Sequence, residues 1–327
     1  MSVSFLDRSL GAGARMLTSV ADGLSDGPRL STLIFHRVPK HRDALFPNEV
    51  DAERFEQMMS LVARAFRVLP LAEAAERLSN RDLPQRALCI TFDDGYADNH
   101  DIALPILRRL GLHATFYIAT GFIDGGRMFN DTVIECVRRS PLDTVDLEVL
   151  GLARFEVATP AQRRTLIDSL LPLAKYKALA EREVFLAGLH DACGRPGLPD
   201  DLMMSRPQVQ HLHRAGMGIG AHTVNHPILR TMPADEAAAQ IDTSRAALQE
   251  WLQASVETFA YPNGRLGKDY DESHADIVRR LVFKAAVSTE PGVSRPGDDL
   301  YQLRRFTPWQ ADPRPWLAGL VSQRLRA

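Results

Sequence analysis

Cysteine is scarce: 327 residues contain three, Cys89, Cys136 and Cys193. An odd, widely spaced set gives neither a disulfide framework nor a Cys-x-x-Cys metal knuckle, and it points to a reducing compartment. An excess of charge of one sign is lacking too, with 39 Lys and Arg against 41 Asp and Glu. That balance advertises neither a nucleic-acid nor an anionic-membrane partner. Long apolar runs are missing: stretches such as Ile102 to Leu107 are the length of one secondary-structure element, far short of the roughly 18 residues a membrane span needs. The first residues mix Asp7, Arg8 and Arg15 with short apolar pieces, without the continuous apolar centre of a secretory signal. Cytoplasmic residence is the expectation. No fixed-period repeat or low-complexity tract occurs, which excludes solenoids and arrays.

What is present reads as an ordinary globular chain, 45% hydrophobic and 24% charged. Residues 1–28 form an expected appendage closed by the loop signal Asp26-Gly27-Pro28, and residues 29–327 a single main domain. From Leu30 onward, short β-rich runs alternate with helical patterns, the signature of a mainly parallel α/β sheet or barrel. Phe55, Met58, Met59, Val62 and Phe66 form one apolar stripe behind a capping Asp51. Ala103, Ile106, Leu107 and Leu110 repeat the spacing up to Gly111. Ser205 and Gln208 have capping-box spacing, with Gly216 as the stop. Ala237, Ile241, Ser244, Leu248 and Trp251 mark a longer helix. Between about 122 and 204 the alternation lapses into Arg-, Leu- and Ala-rich helical patches, read as an insertion forming one wall of a cleft.

Chemistry-bearing residues gather at the ends of apolar runs. Ile90-Thr91-Phe92 leads into Asp93-Asp94-Gly95, where Gly95 lets the backbone leave strand geometry so that both carboxylates converge. A plain Asp-Gly turn is the competing reading. Gly220-Ala221 leads into His222-Thr223-Val224-Asn225-His226-Pro227. Two imidazoles four apart on a turn can share a metal, and Asp94 would complete two nitrogens and one oxygen with positions left open; two surface histidines are the alternative. Phe259-Ala260-Tyr261-Pro262-Asn263-Gly264 is a third such end, and His36 directly follows the first strand. In a closed barrel these four ends share a rim. His211 and His213, on a helix beside Arg214, read as solvated.

Thr91-Phe92-Asp93-Asp94-Gly95 and His222-Thr223-Val224-Asn225-His226 together resemble the first two motifs of the polysaccharide deacetylases, the NodB-homology domain of carbohydrate esterase family four. The resemblance runs from about Leu30 to Phe306, less the insertion. It implies a distorted (β/α) barrel, Asp93 as general base, and Asp94, His222 and His226 as ligands of zinc or another divalent transition metal. Two departures stand out. In the third motif Ala260 and Asn263 replace the family's arginine and tyrosine; Arg304 or Arg305 is the expected substitute for the arginine, and the Asn263 backbone N–H still serves an oxyanion. The family's late Leu-x-His motif is also absent. The early Phe35-His36-Arg37-Val38 resembles instead the Tyr-His-x-Val of the circularly permuted branch that includes the poly-N-acetylglucosamine deacetylases, which makes His36 the catalytic acid.

The resemblance implies hydrolysis of an N-acetyl group on an amino sugar of an exopolysaccharide, cell-wall or lipid-linked glycan, the last at the inner face of the membrane. Tyr261 and Pro262, with Asn130 and Asp131 of the insertion, are the expected sugar contacts. Two other readings stay open: C–N hydrolysis of another small amide or formamide, and a catalytically silent glycan-binding relative.

Overall fold

The computed structural model describes residues 5–23, 27–308 and 313–326. Ten strands occur among them: β1 Ser31–Phe35, β2 Arg67–Val68, β3 Ala87–Phe92, β4 Thr115–Ile118, β5 Thr144–Asp146, β6 Arg154–Glu156, β7 Gly218–Ala221, β8 Thr258–Ala260, β9 Ala285–Pro291 and β10 Leu303–Arg305. The eleven described α-helices are α1 Phe5–Gly23, α2 Ala52–Ala65, α3 Leu71–Ser79, α4 Leu104–Arg109, α5 Phe129–Arg139, α6 Pro160–Lys175, α7 Leu179–Ala192, α8 Arg206–Arg214, α9 Ala234–Leu252, α10 Glu272–Arg280 and α11 Pro313–Arg326.

The main sheet runs β1-β3-β4-β7-β8-β9-β10 with every pairing parallel, and β2 pairs with β3 on the side. Backbone bonds from Ile34 N–H to the Phe306 carbonyl and from Phe306 N–H to the Thr32 carbonyl join the last strand to the first. The sheet is thus a nearly closed (β/α) barrel, and parallel closure puts every strand's C-terminal end on one rim. β1 and β3 are buried along their whole length, as strands covered on both faces must be.

Local signals explain the helices. The Asp51 carboxylate accepts the Arg54 N–H at 3.0 Å and starts α2, whose buried face is Phe55, Met58, Met59 and Val62. Phe66 falls one residue past the helix because the chain turns there into β2. Ser205 and Gln208 make the expected capping box before α8. The helix expected over Ile102 to Leu110 instead opens with a π-helical turn, Asn99–Ala103, before α4 begins.

The segment between β4 and β7 carries α5, α6 and α7 and also a two-stranded antiparallel ribbon, β5 with β6, which the helical reading did not include. It has its own apolar core, Val133, Val137, Val145, Leu166, Ile167, Leu170 and Leu189 among others, with Cys136 and Cys193 buried as free thiols. The expected appendage contains a helix: α1 packs along α2 and α11. Its Asp22 forms a fully buried, two-pronged ion pair with Arg324 of α11 at 2.7 and 2.8 Å. Arg324 also donates to Ser31 Oγ and the Ala87 carbonyl at the first residues of β1 and β3, so helix and barrel floor are pinned together. Of the loop signal that follows, Asp26 lies outside the described residues. Among the described residues, no helix is long and apolar enough to cross a membrane.

Candidate active site

The C-terminal rim gathers the expected residues from four strands. After Phe92 the chain turns sharply at Asp94, whose φ is 78°, and at Gly95, whose φ is 96°. The departure from strand geometry therefore begins at the second carboxylate, one residue earlier than glycine alone requires. Thr223 (φ 65°), His226 (φ 48°) and Asn263 (φ 60°) are likewise left-handed, so several strained non-glycine residues of this rim lie around one site. Thr223 Oγ1 holds its turn in place, donating to the His222 carbonyl and accepting the His226 N–H at 3.1 Å. Gly264 follows with φ 68°, where a Cβ would lie 2.9 Å from the Thr289 nitrogen and 3.0 Å from the Tyr261 carbonyl, so only glycine lets this loop close.

Asp94 Oδ1 lies 3.4 Å from His222 Nε2 and 3.4 Å from His226 Nε2, and the three side chains are buried. One ligand atom from each lies within 4.8 Å of the others. His222 Nδ1 is 2.7 Å from the Ala260 carbonyl, which fixes its N–H there and leaves the Nε2 lone pair facing Asp94. Asp94 Oδ1 is buried without a hydrogen-bond partner. A buried carboxylate oxygen left so costs several kcal/mol unless a cation meets it, and an N₂O donor set is one that divalent transition metals take. Burial pushes the His226 imidazole down to about 3, so it is neutral at physiological pH, as a ligand must be. Burial alone would raise the Asp94 carboxyl, but the His222 and His226 imidazoles beside it hold it well below the usual range. The residues fit a metal ion.

Asp93 points to the other side of the turn. Arg305, the last residue of β10, grips it with Nη1–Oδ1 at 2.7 Å and Nη2–Oδ2 at 2.8 Å. Arg305 is itself oriented by its Nε donating to the Ser288 carbonyl at 2.7 Å. Burial would raise the Asp93 carboxyl, yet the guanidinium holds it below its ordinary value, so it is an anion. Of the two arginines expected as substitutes, Arg304 is exposed and faces away. Strand alternation could have separated them: Leu303 and Arg305 share the inward face and Arg304 does not.

His36, exposed at the end of β1, lines the same cleft, and its carbonyl accepts from Asn99 Nδ2 at 2.8 Å. Asn263 lines it also. The cleft measures 930 Å³ and runs from Asp93, Asp94, His222 and His226 to a wall built by the insertion, with Phe129, Asn130, Leu171, Pro172, Lys175 and Tyr176. A second cavity of 460 Å³ lies beyond His36, lined by Arg37, Tyr96, Asn130 and Asp131 among others. Asn130 borders both cavities, whereas Asp131 borders only the second, its Oδ2 buried and unpartnered.

The remaining expected sugar contacts are not brought to the cleft. Tyr261 is fully buried, stacked on Tyr270 with ring centroids 3.8 Å apart, and its hydroxyl donates to the Tyr301 carbonyl. Pro262 is buried and lines neither cavity. Both are packing residues behind the Asn263 turn. His211 is exposed, as expected, and shares a 2.7 Å hydrogen bond with His100.

A family profile described as Polysaccharide deacetylase matches residues 80–145 and 172–286, just over half of the chain. The putative polysaccharide deacetylase YxkH of Bacillus subtilis (strain 168) is 19% identical over 279 residues, 85% of this chain and 70% of that protein. Among solved structures, IcaB from Ammonifex degensii superposes with a TM-score of 0.59 at 19% identity, covering 91% of this chain and 98% of that one. The Streptococcus pyogenes deacetylase PplD in complex with acetate gives 0.56 at 21% identity, covering 85% and 92%. These likenesses carry the fold, and the profile carries the kinship: the chain belongs to the polysaccharide deacetylase family.

Proposed function

We propose that the chain is a metal-dependent N-deacetylase that removes acetyl groups from amino sugars of an N-acetylated glycan. The observation that carries this reading is that the Asp93–Arg305 pair and the Asp94, His222 and His226 trio line one cleft. Asp94, His222 and His226 would hold a zinc or similar divalent ion, which when bound supplies Lewis acidity toward the amide carbonyl and an acidified water. Asp93, kept ionised and fixed in direction by Arg305, accepts the proton of the attacking water. The Asn263 N–H stabilises the developing oxyanion, a role that needs only backbone. His36 protonates the departing nitrogen, because an amide nitrogen does not leave as an anion at neutral pH.

Arg305 also weighs against a silent relative, since the arginine missing from the third motif is supplied from β10 with a grip on both carboxylate oxygens. A cleft of 930 Å³ favours a glycan over a small formamide. Asn130, on the border of both cavities with its Oδ1 buried and unpartnered, and Asp131 with its free Oδ2, are the acceptors we assign to sugar hydroxyls. The test is acetate release from N-acetylglucosamine oligomers, measured beside metal content, for the parent and His36→Ala. The parent should release acetate, and His36→Ala should keep its metal while losing about 10²–10⁴-fold in rate. A parent that binds no divalent ion and releases no acetate contradicts the reading.

A further inference from the structure

The outer end of the cleft differs in charge from its catalytic end. There α6 ends at Lys175 and Tyr176, and the loop after Gly264 brings Arg265 and Lys268 to the same cleft. The ring of Tyr176, 39% exposed, has two ammonium groups close to it, Lys175 Nζ at 5.3 Å and Lys268 Nζ at 5.5 Å from its centroid. The carboxylates here are already engaged. Asp168 takes both its oxygens to Arg164 at 2.8 Å. The fully buried Asp269 accepts the Arg265 backbone N–H and lies 3.4 Å from the Tyr176 hydroxyl and 3.8 Å from Lys175 Nζ. Arg230, in the short 3-10 turn Leu229–Thr231, is 3.9 Å from Asp271. Arg265 and Lys268 therefore have no carboxylate partner among the described residues, and both line the cleft.

We propose that this end is a subsite for a negatively charged group on the glycan, a uronate carboxylate or a phosphate, placed beside a sugar ring that stacks on Tyr176. The inference deepens the N-deacetylase reading and rests on it for the word glycan. The chemistry is direct. An exposed aromatic flanked by cations offers a sugar an apolar face, and offers an anion two or three charges to approach at once. A neutral polymer would leave Arg265 and Lys268 with nothing to answer, and a polycationic one would be repelled.

The test is calorimetric binding to the full, metal-loaded chain of two matched pairs of probes at low and high salt: a neutral N-acetylglucosamine tetramer with an acidic tetrasaccharide alternating N-acetylglucosamine and glucuronate, and N-acetylglucosamine with N-acetylglucosamine 1-phosphate. At least one acidic probe should bind about tenfold or more tightly than its neutral counterpart, with the preference shrinking as salt rises. The two acidic arms separate polymer uronate from phosphate as the source. Lys268→Glu with Arg265→Glu should erase the preference, and Lys268→Arg should keep it; unchanged melting temperatures exclude misfolding. Equal binding of each acidic probe and its neutral counterpart, or a preference that survives the double reversal, overturns the subsite. Acetate release is a separate readout. Hydrolysis without acid preference removes the subsite and spares the deacetylase reading; acid-selective binding with no release from any acetylated probe does the reverse.

Discussion

Two buried Asp–Arg pairs stand at opposite ends of the same barrel. Asp93 and Arg305 meet at 2.7 and 2.8 Å on the C-terminal rim, and Asp22 and Arg324 meet at the same distances under the first residues of β1 and β3. All four side chains are essentially inaccessible. Geometry alone therefore does not separate a functional pair from a structural one. The difference is what lies beside each: Asp93 opens onto the cleft shared with Asp94, His222 and His226, while Asp22 also accepts the Arg86 N–H and Arg324 also donates to Ser31 Oγ and the Ala87 carbonyl at the barrel floor. In a (β/α) barrel the one end does chemistry and the other end holds the fold.

The largest expected effect is at Asp94, His222 and His226. His226→Ala or Asp94→Asn should lower bound divalent metal from near one per chain to a small fraction and take acetate release below detection, because only two protein ligands remain. Metal analysis of the purified variants checks this. Next come the two arginines. Arg305→Met should cut kcat by about 10²-fold or more through loss of Asp93's orientation. Arg324→Met should leave kcat per folded molecule unchanged but cost about 3–5 kcal/mol of stability, the usual consequence of stranding a buried charge. Denaturant titration beside steady-state kinetics separates the pair; matching profiles in the two variants would dissolve the comparison.

A smaller effect tests the second cavity. Burial pushes the Asp131 carboxyl up to about 7, against the pull of Arg37 and the Tyr96 hydrogen bond, with the charges of Asp94 and Glu135 adding to the rise. The native chain then holds a proton that the unfolded chain releases around its ordinary 3.8. Stability from this group is full below that value, falls as pH climbs from about 4 to about 7, and is absent above. Asp131→Asn, neutral throughout, should match the parent near pH 4 and exceed it above pH 7 by up to about 4 kcal/mol. Melting temperatures across that range decide it.

Much of the rim was legible because its logic is local. An apolar strand that ends in Asp93-Asp94-Gly95, another that ends in His222, and a closed parallel barrel suffice to bring Asp94, His222 and His226 together. The Asp51 cap and the α2 stripe follow from spacing in the same way. Arg305 was only half legible, one of two adjacent arginines, until the two-residue period of β10 is counted from buried Leu303. Tyr261 was misread because its place depends on a tertiary contact, the stack on Tyr270, that no spacing announces. The cation-flanked Tyr176 was invisible for the same reason: Lys175 and Lys268 are far apart in sequence and meet only when the insertion folds back over the loop after β8.

The most direct test of the account is Asp93→Asn, assayed for divalent metal per chain and for acetate release on the same preparation. The account predicts metal content equal to the parent and a rate lower by about 10²–10⁴-fold, because the amide keeps the shape of the carboxylate but accepts no proton from water. Loss of metal with Asp93→Asn, or turnover at the parental rate, would contradict the assignment of Asp93 as the base that Arg305 holds in place.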